Sequence, residues 1–410
     1  ATLDNNHVHV NAHEMAHQRY GNLVTEKDTN HPSLHEGFAS YYALLAEKKL
    51  FGNDYFYWKL YESAKQLQKM SNQGNGEALT DPKASSLTFY EKGTWALHIL
   101  RTKVGDKLFK KGMRAYLKKY QYSNVTISDF ISEMQLASEL DLNEFVQTWL
   151  NDTQFPFEKA KLILASSSID LQTYFNLQRE LMSSNAGNEE IIAKIWNSNL
   201  SPLLRENIIL DYHNSLSESF IRDAFDTEDL KIRQSLCITT DRVPSELKKQ
   251  FESLLEDKSY ITIENALYRL WISFPEDRID YLEKTKDIIG LPDKNVRILW
   301  LLLAVLTRDY LSDTQKTNYT EELFGYTSMV NSFEVRQNAF SLISEVFPLT
   351  DQNLKDLVNA SVHHSWQFRN FARNLLESLL KDEKQRQRLL ELSKELKGKE
   401  LHYMQSKLQV

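Results

Sequence analysis

A few residues near the amino end have the types and spacing to do chemistry. His13-Glu14-Met15-Ala16-His17 sets two imidazoles four residues apart, and Glu36 follows after a further eighteen residues. On a helix, side chains four apart share one face, so His13 and His17 can bring two ring nitrogens to one metal ion while Glu14 stays free. A catalytic zinc takes three protein ligands and keeps one position open; Glu36, heading a second amphipathic stretch, supplies the third. Water at such an ion is acidified from about 15.7 to roughly 7, and Glu14 can take its proton as it attacks a polarised carbonyl. That chemistry is amide hydrolysis. The five-residue motif alone is a fair signal, and a glutamate opening another helix at this distance makes it specific.

The elements that must hold these groups read as helices. The chain has 410 residues, 41% hydrophobic and 26% charged, with only 12 glycines and 8 prolines, a profile that excludes disorder and favours helical domains with sizeable cores. Asp4, Asn5 or Asn6 can cap a helix carrying His9, His13 and His17 on one face. His9 sits one turn, about 6 Å, before His13, the wrong place for a ligand that must share an ion with Glu36. His31 and His35 flank Glu36 as polar neighbours. Phe38, Tyr41, Tyr42 and Leu45 have helical spacing from Glu36 to Lys49, ending near Gly52. A second helix runs from Asp54 to about Met70, its Tyr55, Phe56, Tyr57 and Trp58 reading as core packing. Ser71 to Lys83 is a loop. Helices follow at Asp106 to Tyr120, Ser128 to Leu140 and Leu142 to Asn151, the first two capped by Asp106 and Ser128; only Leu162-Ile163-Leu164 reads as strand.

The run His13 to Gln18 with Gly21-Asn22-Leu23-Val24-Thr25, followed by Glu36-Gly37-Phe38-Ala39, resembles the aminopeptidase-N-like zinc metallopeptidases, the gluzincins of H-E-x-x-H-x18-E pattern. Phe89-Tyr90-Glu91-Lys92-Gly93, an apolar helix, and Val104-Gly105-Asp106-Lys107-Leu108-Phe109 are similar to the family block whose tyrosine hydrogen-bonds the tetrahedral intermediate. The resemblance implies Tyr90 as oxyanion donor, Zn2+ as cofactor, peptides as substrates, and removal of amino-terminal residues as the reaction. It covers roughly residues 10 to 157, ending in Phe155-Pro156-Phe157.

The chain also departs from that pattern. Arg19 and Tyr20 stand where relatives have tryptophan and phenylalanine, His35 replaces the usual asparagine, and Asp28-Thr29-Asn30-His31 replaces a tryptophan pair with Asn-Asp. Zinc-bound histidines need an acceptor on the other ring nitrogen, and Asp28 is the remaining candidate for it. The Gly-x-Met-Glu-Asn motif, whose glutamate grips the substrate amine in relatives, is absent. The expectation is a fragment lacking the amino-terminal half of its parent, with strongly reduced aminopeptidase activity of its own.

The 49 basic and 56 acidic residues leave a net charge of -7, which gives no general attraction to nucleic acid or anionic membrane. The basic face of Lys107, Lys110, Lys111, Arg114, Lys118 and Lys119 lacks interleaved aromatics and reads as solvated surface. The single cysteine, Cys237, forms no internal disulfide and reads as core. The longest apolar run, Ile298 to Leu306, is too short to span a bilayer, so a soluble piece is expected, cytoplasmic or periplasmic. Beyond about residue 168 an apolar residue followed by arginine recurs at Leu204-Arg205, Ile232-Arg233, Val296-Arg297, Val335-Arg336 and Phe368-Arg369, with Arg269 between; this is the period of HEAT-like helix pairs. The expected fold is therefore mainly α: the helical half of a thermolysin-like catalytic domain at 1–157, then a HEAT-like α-superhelical domain at 158–410. Two rival readings are a thermolysin-like endopeptidase, which needs no amine anchor, and a helical scaffold with a decayed metal site.

Overall fold

A computed structural model describes residues 4, 7–28, 31–183, 188–198, 201–227 and 229–408. The fold is mainly helical and forms two compact units, Asn5–Ile208 and Ile209–Val410, the second including Asp4. In the first unit, α1 (Val8–Ala16) lies on the long α2 (Glu36–Asn72), followed by α3 (Gly93–Val104), α4 (Asp106–Tyr120) and α5 (Ile127–Ser138). Two three-residue strands, β1 (Val24–Glu26) and β2 (Ser123–Val125), pair in parallel.

The stretches expected at 36–49 and 54–70 are two helical segments of α2, divided as expected at Gly52, where the backbone leaves helical geometry at φ +95° and ψ 178°. Tyr41, Phe56, Trp58, Leu60 and Leu67 of α2 are buried with Trp95, Leu97 and Leu100 of α3, and the Trp95 indole donates to the Leu60 carbonyl at 3.2 Å. Trp58 and Tyr61 meet Tyr174 of the helix Ile169–Ser183 edge to face, within the first compact unit.

Several local expectations change. Asp4 does not cap α1; its carboxylate accepts the Tyr260 backbone N–H at 2.8 Å and the Ser259 hydroxyl, at the head of the helix Tyr260–Ser273. Asn5 and Asn6 lie outside the described residues. Neither Asp106 nor Ser128 is a cap. Gly105 precedes α4 with no side-chain bond, and Thr126 forms a capping box with Asp129 before α5. Leu162-Ile163-Leu164 is inside the helix Phe157–Ser167, where Leu164 faces the core and Leu162 is exposed, a spacing that three apolar residues alone do not reveal.

In the second unit the helices Leu230–Thr239, Tyr260–Ser273, Asn295–Leu306, Phe333–Val346 and Trp366–Leu379 each pack on the next in that series. Five of the recurrent arginines lie on these five helices. Most tie down turns: Arg269 donates to the Ile238 and Asp241 carbonyls, Arg336 to Thr327 and Asp356, and Arg369 to His363, so the orphan carbonyls after a helix find donors on a neighbour. Arg233 instead pairs with the Asp257 carboxylate at 2.7 Å. Cys237 is fully buried, and all six residues of the basic face on α4 are exposed. Among the described residues no helix is long and apolar enough to cross a membrane.

His98 on α3 is buried among Tyr41, Phe56, Tyr57 and Trp95. Burial, reinforced by Lys48 and Arg101, pushes its pKa down to about 4 from 6.5. Between those values the unfolded chain binds a proton that the native protein refuses, so stability falls as pH drops from about 6.5 to 4, by at most about 3 kcal/mol. Urea unfolding at pH 7 and pH 5 should show this loss in the wild type and a flatter profile in His98→Phe.

Candidate metal centre

The first ligand pair comes from the sequence spacing: α1 puts His13 and His17 on one face, with their Nε2 atoms 3.0 Å apart. The third group comes from the first residue of α2. Glu36 Oε2 lies 3.2 Å from His13 Nε2 and 3.6 Å from His17 Nε2. Among the described residues these three form the one group of histidine, cysteine or carboxylate side chains able to share a metal ion, their ligand atoms all within 4.8 Å of one another. Tetrahedral bonds of about 2.0–2.1 Å put neighbouring ligand atoms about 3.3 Å apart. The observed triangle of 3.0, 3.2 and 3.6 Å fits a zinc ion.

The ring nitrogens facing away are engaged, which orients both rings. His17 Nδ1 donates to the Tyr20 carbonyl at 3.0 Å, which leaves a lone pair on Nε2. His13 Nδ1 lies 3.3 Å from the Ser40 hydroxyl. The acceptor for which Asp28 was the candidate is thus a backbone carbonyl. Ser40, four residues after Glu36 and on the same face of α2, has a spacing that could have revealed it. His35 Nε2 accepts the Glu26 backbone N–H at 2.8 Å and so stays out of the group, and His9 turns to Glu47.

Tyr90 reaches the centre through a π-helical turn, Thr88–Lys92. Its ring stacks on His13 at 5.5 Å between centroids, which sets the phenol beside the Glu36 carboxylate. Burial and the neighbouring Glu36 carboxylate raise the phenol above its usual range, while the hydrogen bond from His13, against some burial, holds the Glu36 carboxyl below its own. The approach depends on two glycines. A Cβ on Gly93 would stand 2.8 Å from Gly37 Cα, and one on Gly37 2.9 Å from Gly93 Cα, so the backbones of α2 and the Tyr90 turn touch. Lys92, fully buried, fixes the same turn by donating to the Glu77 and Asp152 carbonyls, both at 2.6 Å. Glu14, on the α1 face beside the two histidines, is exposed, and its charge reaches Tyr90. The arrangement can bind a divalent ion at one corner and leave a free carboxylate and a phenol at its rim.

Residues 2–149 match the peptidase family M1 domain. The chain is 30% identical over 169 residues to an aminopeptidase N of Lactococcus lactis subsp. lactis, covering 38% of this chain and 19% of that protein. It is 32% identical over 157 residues to the probable aminopeptidase 2 of Sulfurisphaera tokodaii, covering 36% and 20%. It thus spans about a fifth of the length of these relatives. Among solved structures, native leukotriene A4 hydrolase from Saccharomyces cerevisiae aligns with 77% of this chain and 53% of its own at 17% identity and a TM-score of 0.40.

Proposed function

We propose, for a chain that belongs to peptidase family M1 through residues 2–149, that it is the metal-bearing part of a zinc-dependent aminopeptidase hydrolysing amino-terminal residues from peptides. The observation that carries this is the convergence of His13 Nε2, His17 Nε2 and Glu36 Oε2, with Glu14 on the same helix and the Tyr90 ring stacked on His13. Residues 1–157 are assigned to the catalytic domain and 158–410 to the helical-repeat domain. Zinc, when bound, supplies the Lewis acidity that makes water nucleophilic at neutral pH and polarises the scissile carbonyl. His13, His17 and Glu36 would hold it. Tyr20 and Ser40 orient the two imidazoles. The Glu14 carboxylate takes the proton of the attacking water and passes it to the leaving amine. The Tyr90 hydroxyl, aimed across the centre by its π-turn, donates to the oxygen that becomes negative.

The test uses the zinc-loaded chain with two peptides differing only in an acetyl group on the amino terminus. The turnover these residues support is expected to release the first residue of the free peptide and to spare the acetylated one. Cleavage of the acetylated peptide at an internal bond would replace this reading with the endopeptidase.

A further inference from the structure

The helix that carries both histidines has an anchor that the proposed reaction does not use. His9, one turn before His13, approaches Glu47 Oε2 with Nδ1 at 2.8 Å, and the other oxygen of Glu47 accepts from the Tyr55 hydroxyl at 2.9 Å. Glu47 is buried at 4% exposure, and its ion-pair partner is the half-exposed His9. A buried carboxylate with one such partner is a poor source of stability, because desolvation offsets most of the attraction. Its placement suggests a geometric use.

α1 has nine residues and no side-chain cap at its amino end, and a helix this short does not hold its own shape in water. It runs antiparallel to α2, with His13 at Ser40 and Glu36 and His9 at Glu47. Ser40 and Glu47 are seven residues, about 10 Å, apart along α2. α1 also packs along α2, and these two side-chain bonds at its two ends set the pitch of that packing.

We infer that Glu47, held by Tyr55, is a positioning residue for the metal centre. Its bond to His9 sets the pitch of α1 on α2 and so the place of the His13 and His17 Nε2 atoms relative to Glu36. The inference rests on the zinc reading above.

Zinc affinity by competition with a chromophoric chelator, and the d–d absorption of the cobalt(II)-substituted protein, test it. Glu47→Ala and His9→Ala are each expected to weaken zinc binding about tenfold and to alter the cobalt spectrum. The double variant should be no worse than either single one. Glu47→Gln and His9→Asn, which keep an acceptor and a donor in place, should recover most of the affinity. Variants that melt at a lower temperature without metal, yet match wild type in zinc affinity and cobalt spectrum, would overturn the inference. Should Glu47→Ala not fold, His9→Ala at its half-exposed position decides alone. A wild type that binds no zinc would instead overturn the metal reading itself.

Discussion

Glu14→Gln in the zinc-loaded protein is expected to keep its metal and to lose about 10²–10⁴-fold in turnover, the usual range for removing a positioned general base. Glutamine is nearly isosteric and stays on the exposed face of α1 beside His13 and His17, so the ligand triangle of 3.0, 3.2 and 3.6 Å has no reason to change. It cannot accept a proton. The measurement is kcat at matched zinc content. Equal rates in the two proteins would remove Glu14 from the mechanism and leave Tyr90 and the metal ligands to account for the chemistry.

Gly37→Ala should be among the most destabilising small substitutions in the first unit, at about 1–3 kcal/mol in urea unfolding, the range of overpacked sites. Its Cβ would meet Gly93 Cα at 2.9 Å and the Phe89 carbonyl oxygen at 3.0 Å, both backbone atoms that cannot rotate away. Relief requires α2 and the Thr88–Lys92 turn to separate, which moves Glu36 from Tyr90 and should weaken zinc binding as well. Gly325→Ala, where nothing lies within 4 Å of the new methyl, is the control and should be close to neutral. An unchanged unfolding midpoint in Gly37→Ala would show that the two backbones are not in contact.

The parts of this centre that were legible in the sequence are those encoded by periodicity. His13 and His17 are four apart on one helix, and Glu36 heads the next amphipathic run, so side-chain type and spacing carry the whole signal. Tyr90 could be named only through a resemblance, because its position depends on a π-turn and on the Gly37–Gly93 contact, which join segments distant in sequence. The acceptor on His17 was invisible for another reason: a backbone carbonyl such as that of Tyr20 has no side-chain signature. The same limit applies elsewhere. The pairing of Val24–Glu26 with Ser123–Val125 involves strands too short for an alternating pattern to stand out, and Asp4 left α1 for Tyr260 through contacts over 250 residues away in the chain. The arginine period was legible because several turns in the second unit meet the same need for a donor.

The central claim is that this chain binds zinc through His13, His17 and Glu36. Elemental analysis of the purified protein beside His17→Ala and Glu36→Ala tests it most directly. About one zinc per chain in the wild type, and essentially none in either variant, is the predicted result. A wild type that takes up no zinc when incubated with it, or variants that retain it in full, would contradict the account.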